Sequence, residues 1–260
     1  AAIDLGSNSF HMIVARLEES GTLSVIDRLR ENVRLGGGLD NQGQINEAAQ
    51  ERAFECLETF AQRIRDLPQS AVRVAGTNTL RVAKNSRAFV EHAEEILNHP
   101  IEIIAGREEA RLIYLGVAHG LATKEGKRLV VDIGGGSTEF IIGRGMKPLR
   151  RESLYTGCVS SSRRFFNNGK ISKKAMKAAV LEASLTLFPQ APDFKAGRWE
   201  EAIGCSGTIK AIANIVHEEG WCVDGISYKS LQKLRDALID AGHEDNLKLA
   251  GLSENRKPVI

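Results

Sequence analysis

The sequence predicts two α/β domains of similar fold in tandem. The chain has 260 residues, which is long enough for two hydrophobic cores of modest size. Residues 1–16 align without gaps to residues 129–144, and self-similarity at a domain-sized offset indicates a duplicated fold. Segments with strand character alternate with segments of helical periodicity, as in α/β proteins. We therefore place one domain at residues 1–122 and the second at residues 123–260.

The repeat pairs AAIDLGSNSFHMIVAR with LVVDIGGGSTEFIIGR. Asp4 aligns with Asp132 and Gly6 aligns with Gly134, while apolar positions match apolar positions around them. Each copy has an apolar strand, a turn rich in Gly and Ser, and a second apolar strand, which is the pattern of a β-hairpin. We therefore predict that each domain begins with a hairpin of the same kind.

The rest of the first domain is predicted to alternate between strands and helices. A third strand near residues 22–29 precedes a helix over residues 46–66, which Asn46 can cap. Apolar residues recur at helical spacing along this helix and give it one buried stripe. They are Ala49, Ala53, Phe54, Leu57, Phe60, Ala61 and Ile64. The remaining elements are strands near residues 72–75 and 101–105 and helices at residues 86–97 and 108–119.

The polar segment 120–127 is predicted to link the two domains. In the second domain we predict helices at residues 172–187, 206–217 and 227–241, the last ending at Gly242 as a C-terminal cap. The final residues provide no closing element, so we expect the second domain to be truncated at its C-terminus.

A strongly basic segment interrupts an otherwise acidic chain. Residues 144–177 contain ten Lys or Arg and a single acid, Glu152, for a net charge of +9. The formal net charge of the whole chain is only +2, so the other residues are acidic overall. This asymmetry favours a polyanionic partner. The alternative is an ordinary solvated face.

The composition limits the kinds of site to expect. The four Cys form no Cys-x-x-Cys pair and the six His show no zinc-binding spacing, so any metal should be bound by oxygen. No apolar run approaches the roughly 20 residues that span a bilayer. We therefore expect a cytoplasmic protein with no membrane partner.

The two hairpins carry the main functional signal. A turn rich in glycine lets backbone N–H groups converge on a phosphate, while hydroxyls add donors and aspartates can hold a cation. The candidate phosphate-binding residues are Asp4, Gly6, Ser7, Asn8, Ser9, Gly134, Gly135, Gly136, Ser137 and Thr138. Ordinary turns are the alternative, but two aligned copies favour phosphate binding.

A third glycine-rich element, AIGCSGTIKAI at residues 202–212, runs from a short strand into a helix. That geometry directs the N-terminus of the helix at an anion, with Ser206, Gly207 and Thr208 as candidate ligands. A plain strand-to-helix turn is an equally open interpretation.

These elements together resemble the superfamily of acetate kinase, sugar kinases, heat-shock chaperones and actin. Within it, five motifs resemble the exopolyphosphatase and guanosine pentaphosphate phosphohydrolase family. They are DLGSNSFH at 4–11, GTNTLR at 76–81, EEARLIYLGV at 108–117, VVDIGGGSTE at 130–139 and GCSGTIKA at 204–211. The resemblance covers essentially the whole chain and implies two actin-like domains with a cleft between them.

The resemblance also implies roles for three carboxylates. Glu109 would be the general base for the attacking water, and Asp132 and Glu139 would bind Mg²⁺. From the residues alone, Glu109 opens a helix and shares a face with apolar residues, whereas Glu108 lies beside Arg111 and is expected to be solvated. Two glutamates that merely stabilise the first turn of a helix are the alternative.

Arg81 in the GTNTLR motif could bind a phosphate with two hydrogen bonds. An exposed helical arginine is an equally open interpretation.

The expected activity is release of terminal orthophosphate from inorganic polyphosphate by magnesium-assisted attack of water. We favour polyphosphate because the basic segment is long. The alternative substrate is guanosine pentaphosphate, and the alternative class is an ATP-dependent kinase or nucleotide-binding module on the same fold. We expect no nucleic-acid partner and leave a homodimer open.

Overall fold

The computed structural model describes residues 1–19, 21–122 and 125–260. The chain divides into two compact units, residues 1–109 and residues 110–260. The predicted linker includes Thr123 and Lys124, which lie outside the described residues.

The first unit contains a five-stranded mixed sheet. Its strands are β1 (Ala2–Leu5), β2 (Phe10–Leu17), β3 (Leu23–Glu31), β4 (Arg73–Gly76) and β5 (Ile101–Ile103), in the order β3-β2-β1-β4-β5. The first three strands form an antiparallel meander, and β4 and β5 add in parallel. The predicted hairpin is therefore present at the start of the unit.

The helices that begin in this unit are α1 (Glu47–Ile64), α2 (Asn78–Val82), α3 (Ser86–Leu97) and α4 (Gly106–Gly120), the last of which continues into the second unit. Asn46 caps α1 as predicted, since its side-chain oxygen accepts a hydrogen bond of 3.0 Å from the backbone nitrogen of Ala49. Phe60 and Leu57 of α1 are fully buried against the sheet residues Leu5 and Phe10 in one hydrophobic core.

The second unit repeats the arrangement of the first four strands. Its strands are β6 (Arg128–Ile133), β7 (Thr138–Arg144), β8 (Lys147–Leu154) and β9 (Glu201–Cys205), in the order β8-β7-β6-β9. Again three strands form an antiparallel meander, and β9 adds in parallel to β6. The predicted duplication of one α/β arrangement is confirmed, whereas the cleft between the domains stays a prediction.

The helices of the second unit are α5 (Cys158–Phe165), α6 (Lys173–Leu187), α7 (Ala191–Phe194), α8 (Ser206–Glu218) and α9 (Tyr228–Ala241). Ser172 caps α6, and Gly242 ends α9 in the left-handed conformation with φ of 69°. The buried apolar residues form two separate clusters. One joins Tyr114 of α4 to Val130 and Ile141 of the sheet, and the other is centred on Ile215 and Leu234.

The division of the chain falls inside α4 and not at the predicted boundary after residue 122. The physical reason is the packing of this helix. Its residues Ala110, Tyr114 and Ala118 are buried with strands β6 and β7, so most of α4 belongs to the second core.

Four elements were not predicted from the sequence. Helices α2, α5 and α7 have only five, eight and four residues, which is too short for a periodic apolar pattern to stand out. Strand β8 lies at the edge of its sheet and carries three basic residues of segment 144–177, Lys147, Arg150 and Arg151, so it lacks a run of apolar residues. Among the described residues, no helix is long and apolar enough to cross a membrane.

Candidate functional site

A row of four side chains crosses the second sheet at the ends of β6 and β7. Asp132 pairs with Glu139 on one side and with Cys205 on the other, and Glu139 pairs in turn with Ser153. Directly opposite residues in a sheet share a face and lie about 5 Å apart. The register therefore brings together the two carboxylates that we predicted as metal ligands.

Glu139 is held in a buried position. It is only 1% exposed, and the Ser153 hydroxyl donates a hydrogen bond of 2.7 Å to its Oε1 atom. An ionised carboxylate is costly to bury without charge-assisted hydrogen bonds or a cation. Glu139 is therefore not a surface residue of its strand.

Asp132 lies among polar groups at the end of β6. Burial raises the pKa of the Asp132 carboxyl, while hydrogen bonds from Ser206 and Cys205 and the nearby charge of Lys210 oppose the rise. The Cys205 thiol is 3.5 Å from Asp132 Oδ2, and burial is the main reason that its own pKa is raised. The thiol therefore stays protonated and acts as a donor to the carboxylate.

The second hairpin is held by the start of α5. The backbone nitrogen of Cys158 donates to the carbonyl of Gly134 at 2.9 Å, and that of Val159 donates to Gly135 at 2.8 Å. A Cβ atom at Gly157 would lie 2.6 Å from the carbonyl carbon of Gly135, so only glycine permits this approach. The N-terminal N–H groups of α5 thus satisfy the carbonyls of the hairpin.

The N–H groups of this turn remain available. Those of Gly135 and Gly136 have no acceptor within residues 1–19, 21–122 and 125–260. By contrast, the Thr138 hydroxyl donates to the carbonyl of Thr156 at 2.6 Å, and Ser137 is buried. The turn can therefore bind an anion through its backbone, while the Thr138 side chain stabilises the hairpin.

The first hairpin is supported in the same way by a different segment. The backbone nitrogen of Gly36 donates to the carbonyl of Ser7 at 2.8 Å, and Ser7 aligns with Gly135. The two serine side chains of this hairpin bind residues outside it. The Thr79 hydroxyl donates to Ser7 Oγ at 2.7 Å, and the Ser9 hydroxyl donates to Asn32 Oδ1 at 2.9 Å. Both predicted serine ligands are thus bound within the first unit, and phosphate binding by their hydroxyls stays a prediction.

Gly6 leaves no room for a side chain in the first turn, and Gly134 leaves little room in the second. A Cβ atom at Gly6 would lie 2.8 Å from the carbonyl oxygen of Ser9, and one at Gly134 would lie 3.2 Å from the carbonyl oxygen of Ser137. The duplicated positions therefore share a backbone geometry that side chains would disturb.

The side-chain rows of the two units have diverged. In the first sheet, Asp4 pairs with His11, and His11 pairs with Arg30, where the second sheet has Asp132, Glu139 and Ser153. The first row therefore carries one carboxylate with basic neighbours and the second carries two adjacent carboxylates. Between the two predicted aspartates, Asp132 is the one with a carboxylate partner suited to a cation.

Glu109 lies in the first turn of α4 and contacts Arg81 at the end of α2. Arg81 Nη1 donates to Glu109 Oε2 at 2.8 Å, and the two side chains are 12% and 16% exposed. The predicted base and the predicted phosphate ligand thus form an ion pair, and Arg81 is not an exposed helical arginine.

The third glycine-rich element joins β9 to α8 as predicted. Ser206 adopts a left-handed conformation with φ of 68°, which is uncommon outside glycine and often found at functional sites. The guanidinium of Arg256 packs directly on Gly207, because an added Cβ there would lie 1.6 Å from Arg256 Nη2. Thr208 is buried behind this turn.

The second unit offers a chemically suitable set of atoms for Mg²⁺. This ion prefers oxygen and binds through one or two carboxylates, water and substrate phosphates. Asp132 and Glu139 supply two carboxylates side by side, next to backbone N–H groups that can bind phosphate. Within the described ranges no group of three or more His, Cys, Asp or Glu could hold a metal ion, so protein side chains alone do not form a complete cage. The set fits a metal that shares its ligands with a substrate.

The basic side chains of the segment are exposed. All ten Lys and Arg of residues 144–177 lie on the surface, at the end of β7, on β8, on α5, on α6 and, for Lys170, between the two helices. Two are paired with acids from outside the segment, Arg150 with Asp193 and Arg164 with Glu182. The excess positive charge is therefore smaller than the sequence count.

Sequence reasoning missed several residues of these sites. Ser153 and Arg256 contact predicted site residues but stand in none of the five motifs, and Lys210 lies inside the GCSGTIKA motif but was not predicted as a site residue. A serine directly opposite Glu139 could have been found only from the register of β7 and β8, which the sequence does not specify.

Comparison with known proteins identifies relatives along the whole chain. The model of the Ppx/GppA phosphatase family matches residues 13–260. A guanosine-5'-triphosphate,3'-diphosphate pyrophosphatase of Pseudoalteromonas atlantica is 42% identical over 260 residues, which are 100% of this chain and 51% of the relative. The enzyme of that name from Aeromonas hydrophila is also 42% identical, with 52% of its length covered. The chain therefore spans about half the length of these curated relatives.

Solved structures agree with this result. A crystal structure of an exopolyphosphatase from Cytophaga hutchinsonii has a TM-score of 0.85 and 26% identity, and the match covers 99% of this chain and 85% of that chain. The Aquifex aeolicus PPX-GPPA enzyme has a TM-score of 0.76 and 26% identity, with 99% and 86% covered.

Proposed function

The chain belongs to the Ppx/GppA phosphatase family, and from this membership we propose that it hydrolyses phosphoric anhydrides, removing the terminal phosphoryl group of guanosine pentaphosphate. The proposed substrate rests on the 42% identity, over the whole of this chain, to enzymes named for guanosine-5'-triphosphate,3'-diphosphate. The length of the basic segment favours polyphosphate, but the identity to these relatives supports guanosine pentaphosphate better.

Polyphosphate is the second candidate. It is favoured by the exposed basic residues of segment 144–177 and by the likeness to the Cytophaga hutchinsonii exopolyphosphatase. The ion pairs of Arg150 and Arg164 weaken the first of these observations, because they reduce the charge available to a long polyanion.

In the first unit, Glu109 would accept a proton from the attacking water. Its position in the first turn of α4 favours the ionised form, and Arg81 holds one of its oxygens. The bond from water oxygen to the terminal phosphorus forms while the bond to the bridging oxygen breaks. The products are orthophosphate and a nucleotide with one phosphate fewer.

In the second unit, the N–H groups of Gly135 and Gly136 would bind phosphate oxygens. Their contribution is to place donors where negative charge accumulates in the transition state. The turn that contains Ser206 and Gly207 would add donors from the start of α8, with the guanidinium of Arg256 beside it.

A magnesium ion is part of the proposal. Asp132 and Glu139 would hold it, and when bound it would neutralise charge on the phosphate oxygens. The Ser153 hydroxyl would orient Glu139 toward the ion.

The decisive experiment measures orthophosphate release in the presence of Mg²⁺ from guanosine pentaphosphate, long-chain polyphosphate and ATP. We expect the highest kcat/KM with guanosine pentaphosphate. A higher value with polyphosphate would support the second candidate, and ADP formation that requires an added sugar or acid would support a kinase. Because the chain covers half of its relatives, the same assay should also be made on a protein extended to their full length.

A further inference from the structure

We propose that Arg81 is a positioning residue for the general base, holding Glu109 with one edge of its guanidinium and a substrate phosphate with the other. The inference rests on the proposed function. It concerns how two residues of the first unit cooperate, and it assigns Arg81 a role beyond that of a phosphate ligand.

The first observation is the way in which Arg81 Nη1 is anchored. This nitrogen donates two hydrogen bonds, one of 2.8 Å to Glu109 Oε2 and one of 2.8 Å to the carbonyl oxygen of Ile104. Ile104 directly follows strand β5. The guanidinium is therefore tied to the end of a strand and to the carboxylate at once, so the carboxylate is placed relative to the sheet.

The second observation is burial. The Arg81 and Glu109 side chains are 12% and 16% exposed, whereas an exposed ion pair in the same unit, Arg87 with Glu91, is 91% and 60% exposed. Exposed pairs contribute little, because water competes for both charges. A pair with little solvent access keeps its geometry, and a general base must hold its oxygen within hydrogen-bonding distance of the water that it deprotonates.

The third observation is the other edge of the same guanidinium. The Nε and Nη2 atoms of Arg81 are buried and have no hydrogen-bond partner within residues 1–19, 21–122 and 125–260. These two atoms form the side-on fork with which arginine binds two oxygens of one phosphate. Buried donors without a partner are rare in proteins and call for an explanation. An anionic substrate oxygen pair satisfies both donors.

The planar, rigid guanidinium of Arg81 thus binds the base Glu109 through Nη1, while Nε and Nη2 remain available for a phosphate. If a terminal phosphate occupies the fork, the guanidinium sets the position of the phosphate relative to the Glu109 carboxylate. Misplacement of a catalytic group by about 1 Å can cost on the order of 10²-fold in rate, so this coupling is chemically significant.

The alternative is a purely structural ion pair, and double substitution separates the two. Arg81→Gln removes the charge and the fork, and we expect kcat for orthophosphate release to fall on the order of 10²-fold and KM to rise. In the Glu109→Gln background the same change should lower kcat by less than about threefold, because the base on which Arg81 acts is already absent. The rise in KM should persist in both backgrounds, because it reports loss of phosphate binding by the charged side chain.

Matched variants keep the test interpretable. Arg87→Gln removes the exposed pair of α3 and should leave kcat and KM unchanged. Arg81→Lys keeps a charge without the planar fork, and we expect it to restore KM more than kcat. Thermal unfolding of each variant shows whether the fold is retained. Calorimetry gives the affinity for tripolyphosphate, which reports phosphate binding by the fork independently of turnover.

Equal fold-losses of kcat on Arg81→Gln in both backgrounds would overturn the inference, as would unchanged tripolyphosphate binding. Absence of orthophosphate release from the unaltered protein would contradict the proposed function instead. The two failures are therefore distinguishable.

Discussion

The Ser153 hydroxyl donates a hydrogen bond of 2.7 Å to Glu139 Oε1 from the neighbouring strand β8. Glu139 is 1% exposed, so this bond orients a buried carboxylate next to Asp132. Residues that orient metal ligands commonly affect metal affinity by 10- to 100-fold. We therefore expect Ser153→Ala to raise the Mg²⁺ concentration required for half-maximal activity by roughly 10-fold. Ser161→Ala, in α5, is a control expected to have no effect.

The second prediction concerns the two carboxylates themselves. Asp132→Asn and Glu139→Gln each remove a negative oxygen ligand, so each should raise the Mg²⁺ requirement more than Ser153→Ala does. The measurement is a magnesium titration of orthophosphate release, with the exposed helix residue Asp236 changed to Asn as the control. Unchanged magnesium dependence in both variants would place the ion elsewhere, with Asp4 as the next candidate.

The third prediction concerns the general base. Glu109→Gln keeps the size of the side chain but cannot accept a proton, so kcat should fall on the order of 10²- to 10⁴-fold while substrate binding is retained. Glu108→Gln is the matched neighbour in the same helical turn and should retain most activity. The reverse pattern would show that the assignment is wrong by one residue.

The fourth prediction tests the basic segment. Lys173 and Lys174 are exposed at the start of α6, and changing both to Glu should weaken long-chain polyphosphate binding and reduce its salt dependence. Hydrolysis of guanosine pentaphosphate should scarcely change, because that substrate is too short to reach many such residues. Arg164 is a poorer choice, since its pair with Glu182 would be replaced by two adjacent acids.

Two exposed lysines of α9, Lys229 and Lys233, provide the control for that experiment. Their change to Glu alters the net charge of the protein by the same amount outside the segment. Equal effects of both double variants on long and short substrates would identify residues 144–177 as an ordinary solvated face.

The fifth prediction concerns the support of the second hairpin. Gly157→Ala places a methyl group 2.6 Å from backbone atoms of Gly135, so it should lower the free energy of unfolding by about 1–3 kcal/mol. Gly116→Ala, in α4, has nothing within 4 Å of the added methyl group and should be neutral or stabilising. Chemical denaturation measures both. Similar stabilities of the two variants would show that the contact between Gly157 and the hairpin does not constrain the fold.

The longer helices, most strands and their order along the chain could be predicted from the sequence alone. The duplicated hairpins, the helix Glu47–Ile64 with its Asn46 cap and the helix Ser86–Leu97 all follow from local signals. Those signals are apolar periodicity, capping residues and glycine in tight turns, and each depends on residues that are near one another in the chain. The chemistry-bearing residues could be identified for the same reason, because they stand in short contiguous motifs.

Contacts among these side chains depend on the three-dimensional packing of the chain. Arg81 and Glu109 are 28 residues apart, and their contact depends on how α2 and α4 follow strands of one sheet. The Ser7 and Ser9 hydroxyls are bound by Thr79 and Asn32, which no motif connects to them. Contacts of this kind are set by strand register and by packing between distant segments. Strand register and long-range packing cannot be read from apolar periodicity, because many registers and packings are compatible with the same apolar pattern until the whole core is assembled.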